Sequence, residues 1–378
     1  KAMMRQGINP TVIGFTTGHK ALQRAGVQAL SVEALLNPIE DQPYLSAVLP
    51  FLGEHNHPDV TFRESQIYHA LGLRDLVELY GWDKAMQRLH AEGRKAFEPT
   101  GVMKRYLRRF QPDIVIATTS PRFELALLKA ARALAIPSLA VGDLFLVKER
   151  EWIARPDYAE HLAVLNSDVA DAIAEAGYPR QNIVITGNPA FDPLARRSGD
   201  EARRRELRQA LGVTDKTVIL WPAPGSHVSM IGRPFISPQD VVATFERLCA
   251  LDQSFTYIYR AHPNETRALP AAMQFGYMDA GNFSAEDVLL VADVVCVEAS
   301  TMGLQAAIRG LPVICVGYAD YVVYPNFGLA RGVETIGEAA ELVARREYQP
   351  PLPAHIPPVG DSTERVLRHV ESILRSQT

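Results

Sequence analysis

Residues 292–318 read ADVVCVEASTMGLQAAIRGLPVICVGY, and the reading of the fold turns on them. An apolar run, Val294–Val297, stops at the polar pair Ser300-Thr301. A helix-compatible segment continues to Ile308, Gly310 and Pro312 close it, and a second apolar run begins. This pattern predicts a strand, a loop, a helix and a parallel strand. The loop then sits where a strand ends and a helix starts. Unpaired backbone N–H groups and the positive end of the helix dipole meet there, an arrangement suited to an anion such as a nucleotide phosphate.

The same rhythm extends on both sides. A strand at 218–221 (VILW) runs into PAPGSHVSMIGRP, and a helix over 238–251 leads to a strand at 257–260 that ends in Ala261-His262-Pro263-Asn264-Glu265. After the opening unit come YADYVVYPNFG, a helix over 336–346, the proline-rich QPPLPAHIPPVG and an amphipathic helix over 362–376. Three loops therefore fall at carboxyl ends of predicted strands: Gly225-Ser226-His227, Arg260 to His262, and Glu298 to Thr301. In a parallel sheet such ends share one edge, so loops distant in sequence can converge. Gly225 allows close backbone approach, Ser226, Ser300 and Thr301 offer hydroxyls, and Arg260 or His262 can offset charge. Each loop alone reads first as a turn closed by glycine or by a Ser/Thr helix cap. The three together favour a site.

Earlier in the chain, residues 11–15 (TVIGF) and 27–30 (VQAL) read as strands flanking a helix over 17–24, and helical periodicity dominates 64–109. The strand DIVIA (113–117), the turn TTSPRFE, a helix over 123–134 and the strand SLAVGD follow, so Asp143 stands at a strand's carboxyl end. Further strands at 161–165 and 182–185 lead to GNPAFD (187–192). Domains are placed at 1–190 and 191–360, with 361–378 a helix able to pack back on the first domain. Residues 1–7 (KAMMRQG) resemble the end of a helix, which implies a strand and a glycine-bearing loop before residue 1.

Bulk numbers bound the function. At 378 residues the prior is two domains. A net charge of -4 argues against a nucleic-acid partner. Cys249, Cys296 and Cys315 lie in apolar segments without CxxC spacing, which predicts buried thiols and a reducing, cytoplasmic setting. No apolar run is long enough to span a bilayer, so membrane contact would be peripheral, at the inner face. Glu54, His55 and His57 lie two apart or closer in a loop with no third partner in register, a pattern that predicts solvated side chains rather than a metal. Neither a metal nor a cofactor is expected.

GNPAFD at the junction, PGS after the first strand of the second half, and ASTMGLQAAIRGLPVI near its end make the chain similar to the GT-B superfamily of nucleotide-sugar enzymes. The resemblance is strongest to lipid-A-disaccharide synthase-like glycosyltransferases and UDP-N-acetylglucosamine 2-epimerases. It implies an α/β fold of two Rossmann-like parallel-sheet domains facing a cleft. The second domain would hold the nucleotide diphosphate and the first the acceptor or sugar. On that resemblance Gly225, Ser226, His227, Arg260, His262, Glu298, Ser300, Thr301 and Gln305 are expected at the nucleotide. Gln305 stands where relatives carry a glutamate for the ribose hydroxyls, so a weaker grip or a nucleotide other than UDP follows. The epimerases' histidine-arginine-glutamate signature and paired glutamates are missing, which favours transfer from a nucleotide-sugar to a glycan, lipid or protein acceptor in cell-surface glycan assembly. Alternatives are the epimerase, a CDP-glycerol or CMP-sugar type transferase, and a non-catalytic nucleotide-sugar-binding subunit. Thr119 occupies the position of the synthase-like aspartate. The remaining candidates for a catalytic base are Asp143, Glu124 and His19, with His262 beside the phosphates.

Overall fold

Strand pairing in the computed structural model, which describes residues 2–5, 7–53, 59–225, 234–263, 265–270, 272–317 and 323–376, builds two sheets. The first sheet has the order β1-β2-β3-β4, formed by β1 (Val115–Thr118), β2 (Ser138–Val141), β3 (His161–Val164) and β4 (Ile183–Ile185). β2 pairs in parallel with both β1 and β3. The second sheet runs β10-β9-β8-β5-β6-β7. Its strands are β5 (Thr217–Pro222), β6 (Phe255–Arg260), β7 (Gly276–Asp279), β8 (Val294–Val297), β9 (Val313–Val316) and β10 (Arg331–Val333). Every pairing in it is parallel. From β5 the chain winds outward through β6 to β7, then returns to the other side of β5 and winds outward again. The direction of winding reverses between β5 and β8, and in open α/β sheets ligands bind at the carboxyl ends flanking such a reversal.

Two compact units contain these sheets. One comprises 1–164, 172–184 and 363–378, and the other 165–171 and 185–362. In the second, β5, β8 and β9 are almost wholly buried, as their unbroken apolar sequences require for strands covered on both faces. Trp221, Phe245, Tyr257 and Tyr259 fill that core. In the first, Val366, Val370 and Ile373 of the helix Ser362–Arg375 pack on Leu139 of β2 and Ala163 of β3. Each such side chain contributes about 1.5–3 kcal/mol by leaving water.

Several expectations give way. Residues 11–15 and 27–30 form no strands, and one parallel bridge, Ile13 to Leu30, is what their apolar pattern yields. The helical stretch 64–109 breaks into Phe62–Tyr80, Trp82–Glu92 and Thr100–Phe110. The breaks fall at Gly81 and Gly93, whose φ angles of 77° and 55° end a helix cheaply. The first of these helices opens with a capping box between Thr61 and Glu64. β7 and β10 are short edge strands without apolar runs, so periodicity does not announce them. The three cysteines are buried free thiols, and among the described residues no helix is long and apolar enough to cross a membrane.

Candidate functional site

The exits of β5, β6 and β8 carry the predicted nucleotide residues, and the structure separates those that meet from those that do not. Gly225, just past β5, lies under the ring of His262, just past β6. A Cβ at Gly225 would stand 2.9 Å from His262 Cε1 and Nε2, so any side chain there would have to displace the ring. Ser226 and His227 lie outside the described residues, as do Glu54, His55 and His57.

Arg260 ends β6, and its Nη1 donates to Asp279 Oδ2 and, at 3.0 Å, to the Phe283 carbonyl. Asp279 is 1% exposed, and its other oxygen accepts from the N–H groups of Gly281, Asn282 and Phe283. Arg260 thus ties the β6 and β7 exits together. The expectation that it offsets phosphate charge meets a guanidinium already engaged at the sheet's outer side.

Glu298, the first residue beyond β8, is buried and accepts from the Ile236 N–H at 3.0 Å. The Ile236 carbonyl accepts in turn from Arg267 Nη1 at 3.0 Å, while Glu265 grips Arg267 through both carboxylate oxygens. The Glu265 carboxylate holds the Arg267 pKa above its ordinary value, and Glu298 adds to this. Glu298 and Arg267 therefore pin the return of the β5 loop from both sides. Arg267 has no sequence signal as an anchor, since its backbone partner is 31 residues away.

Ser300 and Thr301 stand at the β8 exit. The Met302 N–H reaches Ser300 Oγ at 3.4 Å and the Gly303 N–H reaches the Ser300 carbonyl at 3.0 Å. Two of the N–H groups expected to face an anion are thus satisfied within the loop. The helix Met302–Ile308 is short, so the dipole contributes little beyond that turn. Thr301 behaves differently. Ser237, Ser284 and Thr335 each cap their own helix with the side-chain oxygen, whereas Thr301, at the same position, makes no cap hydrogen bond and is exposed. One turn on, at the i+4 spacing that shares a helix face, Gln305 Oε1 is buried without a hydrogen-bond partner among the described residues. An acceptor held dry and unmatched suits a hydroxyl donor from a ligand.

Tyr324 holds this loop in place. Its hydroxyl donates to the Ser300 carbonyl at 2.7 Å, and its ring lies where a Cβ on Gly303 would clash at 2.5 Å. Nothing in the local sequence marks Tyr324, 24 residues from its partner.

In the first unit, Glu124 accepts from Thr118 Oγ1 and, at 3.2 Å, from the Ser120 N–H, closing the turn after β1. In this arrangement the carboxylate closes the turn locally. His19 is buried. Its Nδ1 donates to the Leu30 carbonyl at 3.3 Å and its Nε2 accepts from Gln23 at 2.8 Å, so both ring nitrogens are occupied. Asp143 is exposed, two residues past the end of β2. Thr119 is buried and its carbonyl accepts from Trp152 Nε1 at 3.0 Å. The same turn places Arg122 at φ 71°, a strained conformation for a residue with a Cβ, and its Nε donates to Tyr68 Oη at 2.9 Å. Burial raises the Tyr68 pKa and Arg122 opposes that, so the phenol stays protonated.

A two-unit α/β architecture with Rossmann-like parallel sheets, the second wound in dinucleotide-fold order, defines the GT-B fold. The solved structures it matches include UDP-GlcNAc 2-epimerase from Neisseria meningitidis bound to UDP-GlcNAc, with a TM-score of 0.55 at 14% identity over 96% of this chain and 99% of that one. The UDP-GlcNAc 2-epimerase of Methanocaldococcus jannaschii matches with a TM-score of 0.55 at 12% identity, covering 98% and 94%. The S. aureus MnaA–UDP co-structure matches with a TM-score of 0.51 at 15% identity, covering 73% and 80%. No protein-family model matches the chain, and no curated protein matches it in sequence.

Proposed function

We propose that this chain acts on a nucleotide-activated sugar, holding the nucleotide at the carboxyl edge of the six-stranded sheet, and that it is a sugar-nucleotide epimerase acting on a UDP-sugar such as UDP-N-acetylglucosamine. One observation carries the proposal. At the winding reversal beside β8, Thr301 leaves its hydroxyl uncapped and Gln305 keeps a buried acceptor unmatched. A diphosphate accepting from Thr301 and a ribose hydroxyl donating to Gln305 would satisfy both. The loops of Gly225 and His262, packed on each other at the neighbouring exits, supply a second wall, and Glu298 and Arg267 hold its far end. The choice of epimerisation over transfer rests on likeness of fold along nearly the whole length of the Neisseria and Methanocaldococcus epimerases.

A second reading, transfer of the sugar to an acceptor, is favoured by Asp143. A base that takes a proton from an incoming hydroxyl must come within hydrogen-bond reach of it, and Asp143 is exposed just beyond the carboxyl end of β2, where ligands of open α/β sheets bind. UDP-N-acetylglucosamine incubated with the chain alone and followed by proton NMR separates the two readings. A second sugar-nucleotide appearing without acceptor supports the epimerase. UDP released only when an acceptor is added supports transfer. Calorimetry that detects no binding of UDP or UDP-sugar overturns both.

A further inference from the structure

The first unit holds a cavity of about 140 Å³ that none of the strand-end residues line. Val102, Arg105, Tyr106 and Arg109, on one face of the helix Thr100–Phe110, line it together with Leu35 and Leu71, and Glu40 and Arg74 complete its polar lining. This half of the helix leads through Gln111 into the start of β1. The cavity therefore lies toward the amino ends of the strands, away from the turn of Thr118 and Glu124.

The polar lining carries donors without acceptors. Tyr106 is 9% exposed, its ring is stacked on Phe110, and among the described residues its hydroxyl has no hydrogen-bond partner. Arg105 Nη2 is likewise buried without a partner among the described residues, although Nη1 donates to Glu78 at 2.8 Å. Among the described residues Arg109 makes no hydrogen bond or ion pair, and its guanidinium lies 5.5 Å from the Phe110 ring. The nearby carboxylates are taken. Glu40, Asp41 and Glu78 all bind Arg74, and Glu78 is shared with Arg105. Arg105 and Arg109 also stand four apart on one helix face, where like charges repel unless something lies between them. Burial pushes the Tyr106 pKa up to about 12, so its hydroxyl remains a donor at neutral pH.

We propose that this cavity binds a small oxyanion, a carboxylate or a phosphate, that bridges Arg105, Tyr106 and Arg109 and rests any hydrocarbon body on Leu35, Leu71 and Val102. Its volume is close to that of a cavity known to take a benzene-sized guest, which limits the ligand to a few heavy atoms beyond the anionic group. The site is separate from the nucleotide reading and does not depend on it.

The test uses the full chain with benzoate or inorganic phosphate as probe, against sodium chloride at equal ionic strength, read by thermal melting and calorimetry. Variants are Tyr106→Phe, which keeps the ring, and Arg109→Ala, which removes an exposed side chain the fold does not need. At least one anion is expected to raise Tm beyond the chloride control, with Kd about tenfold weaker in each variant. Stronger binding of benzoate assigns a carboxylate with an apolar body, and stronger binding of phosphate assigns a phosphate. No shift with either anion, or an equal shift in wild type and Arg109→Ala, overturns the proposal, the second by placing the anion elsewhere. If Tyr106→Phe does not fold, Arg109→Ala alone decides.

Discussion

Arg260 and Thr301 stand at equivalent places, the exits of two parallel strands in one sheet, and the fold uses them in opposite ways. Arg260 is drawn into the interior of its own edge, where buried Asp279 and the Phe283 carbonyl take its Nη1. Thr301 starts a helix without capping it and stands beside a glutamine whose carbonyl oxygen is unmatched. Position at a strand end nominates a residue, and hydrogen-bond accounting decides whether it is spent on the protein or kept for a ligand. The difference follows the sheet order: β8 flanks the winding reversal, while β6 lies one strand outward and leans on the edge strand β7.

The largest effect that could break this contrast is in Arg260→Ala. Leaving Asp279 buried without its cation should cost about 3–5 kcal/mol of stability by urea denaturation. UDP affinity of the folded protein should stay within about twofold. Little loss of stability together with lost UDP binding would return Arg260 to the phosphate. Next, Thr301→Val combined with Gln305→Ala should weaken UDP binding about tenfold by calorimetry, near 1.4 kcal/mol, with the urea midpoint almost unchanged. A large fall in the midpoint with normal affinity would make these residues structural, like Arg260. The smallest effect is expected for Tyr324→Phe, which loses one hydrogen bond to the Ser300 carbonyl. It should cost about 1 kcal/mol in stability and reduce UDP affinity less than the double variant does. Unchanged values for both would show that the Ser300 loop holds without it.

Much of the second sheet was legible because buried parallel strands need unbroken apolar runs, and Val294–Val297 and Val313–Val316 have them. The edges were not, because Gly276–Asp279 and Arg331–Val333 are short, half-covered strands whose pairing comes from neighbours already in place. The bridge of Ile13 to Leu30 shows the converse, an apolar pattern that yields no strand. Among the candidate residues, Gly225 and His262 could be anticipated as neighbours, since their strands are consecutive and parallel. The partners of His19 and Glu124 were not legible, because a histidine bonded to Leu30 and Gln23 looks the same in sequence as one without partners.

By itself, then, the sequence determined the alternation of strand and helix, the identity of the buried strands and the loops that close them, all of which depend on patterns a few residues long. The tertiary structure alone decided that Tyr324 supports Ser300, that Arg267 and Glu298 share Ile236, and that Arg105, Tyr106 and Arg109 line one cavity. These are matters of which donors find acceptors. That can be settled only once chain segments distant in sequence are brought within about 3 Å of each other.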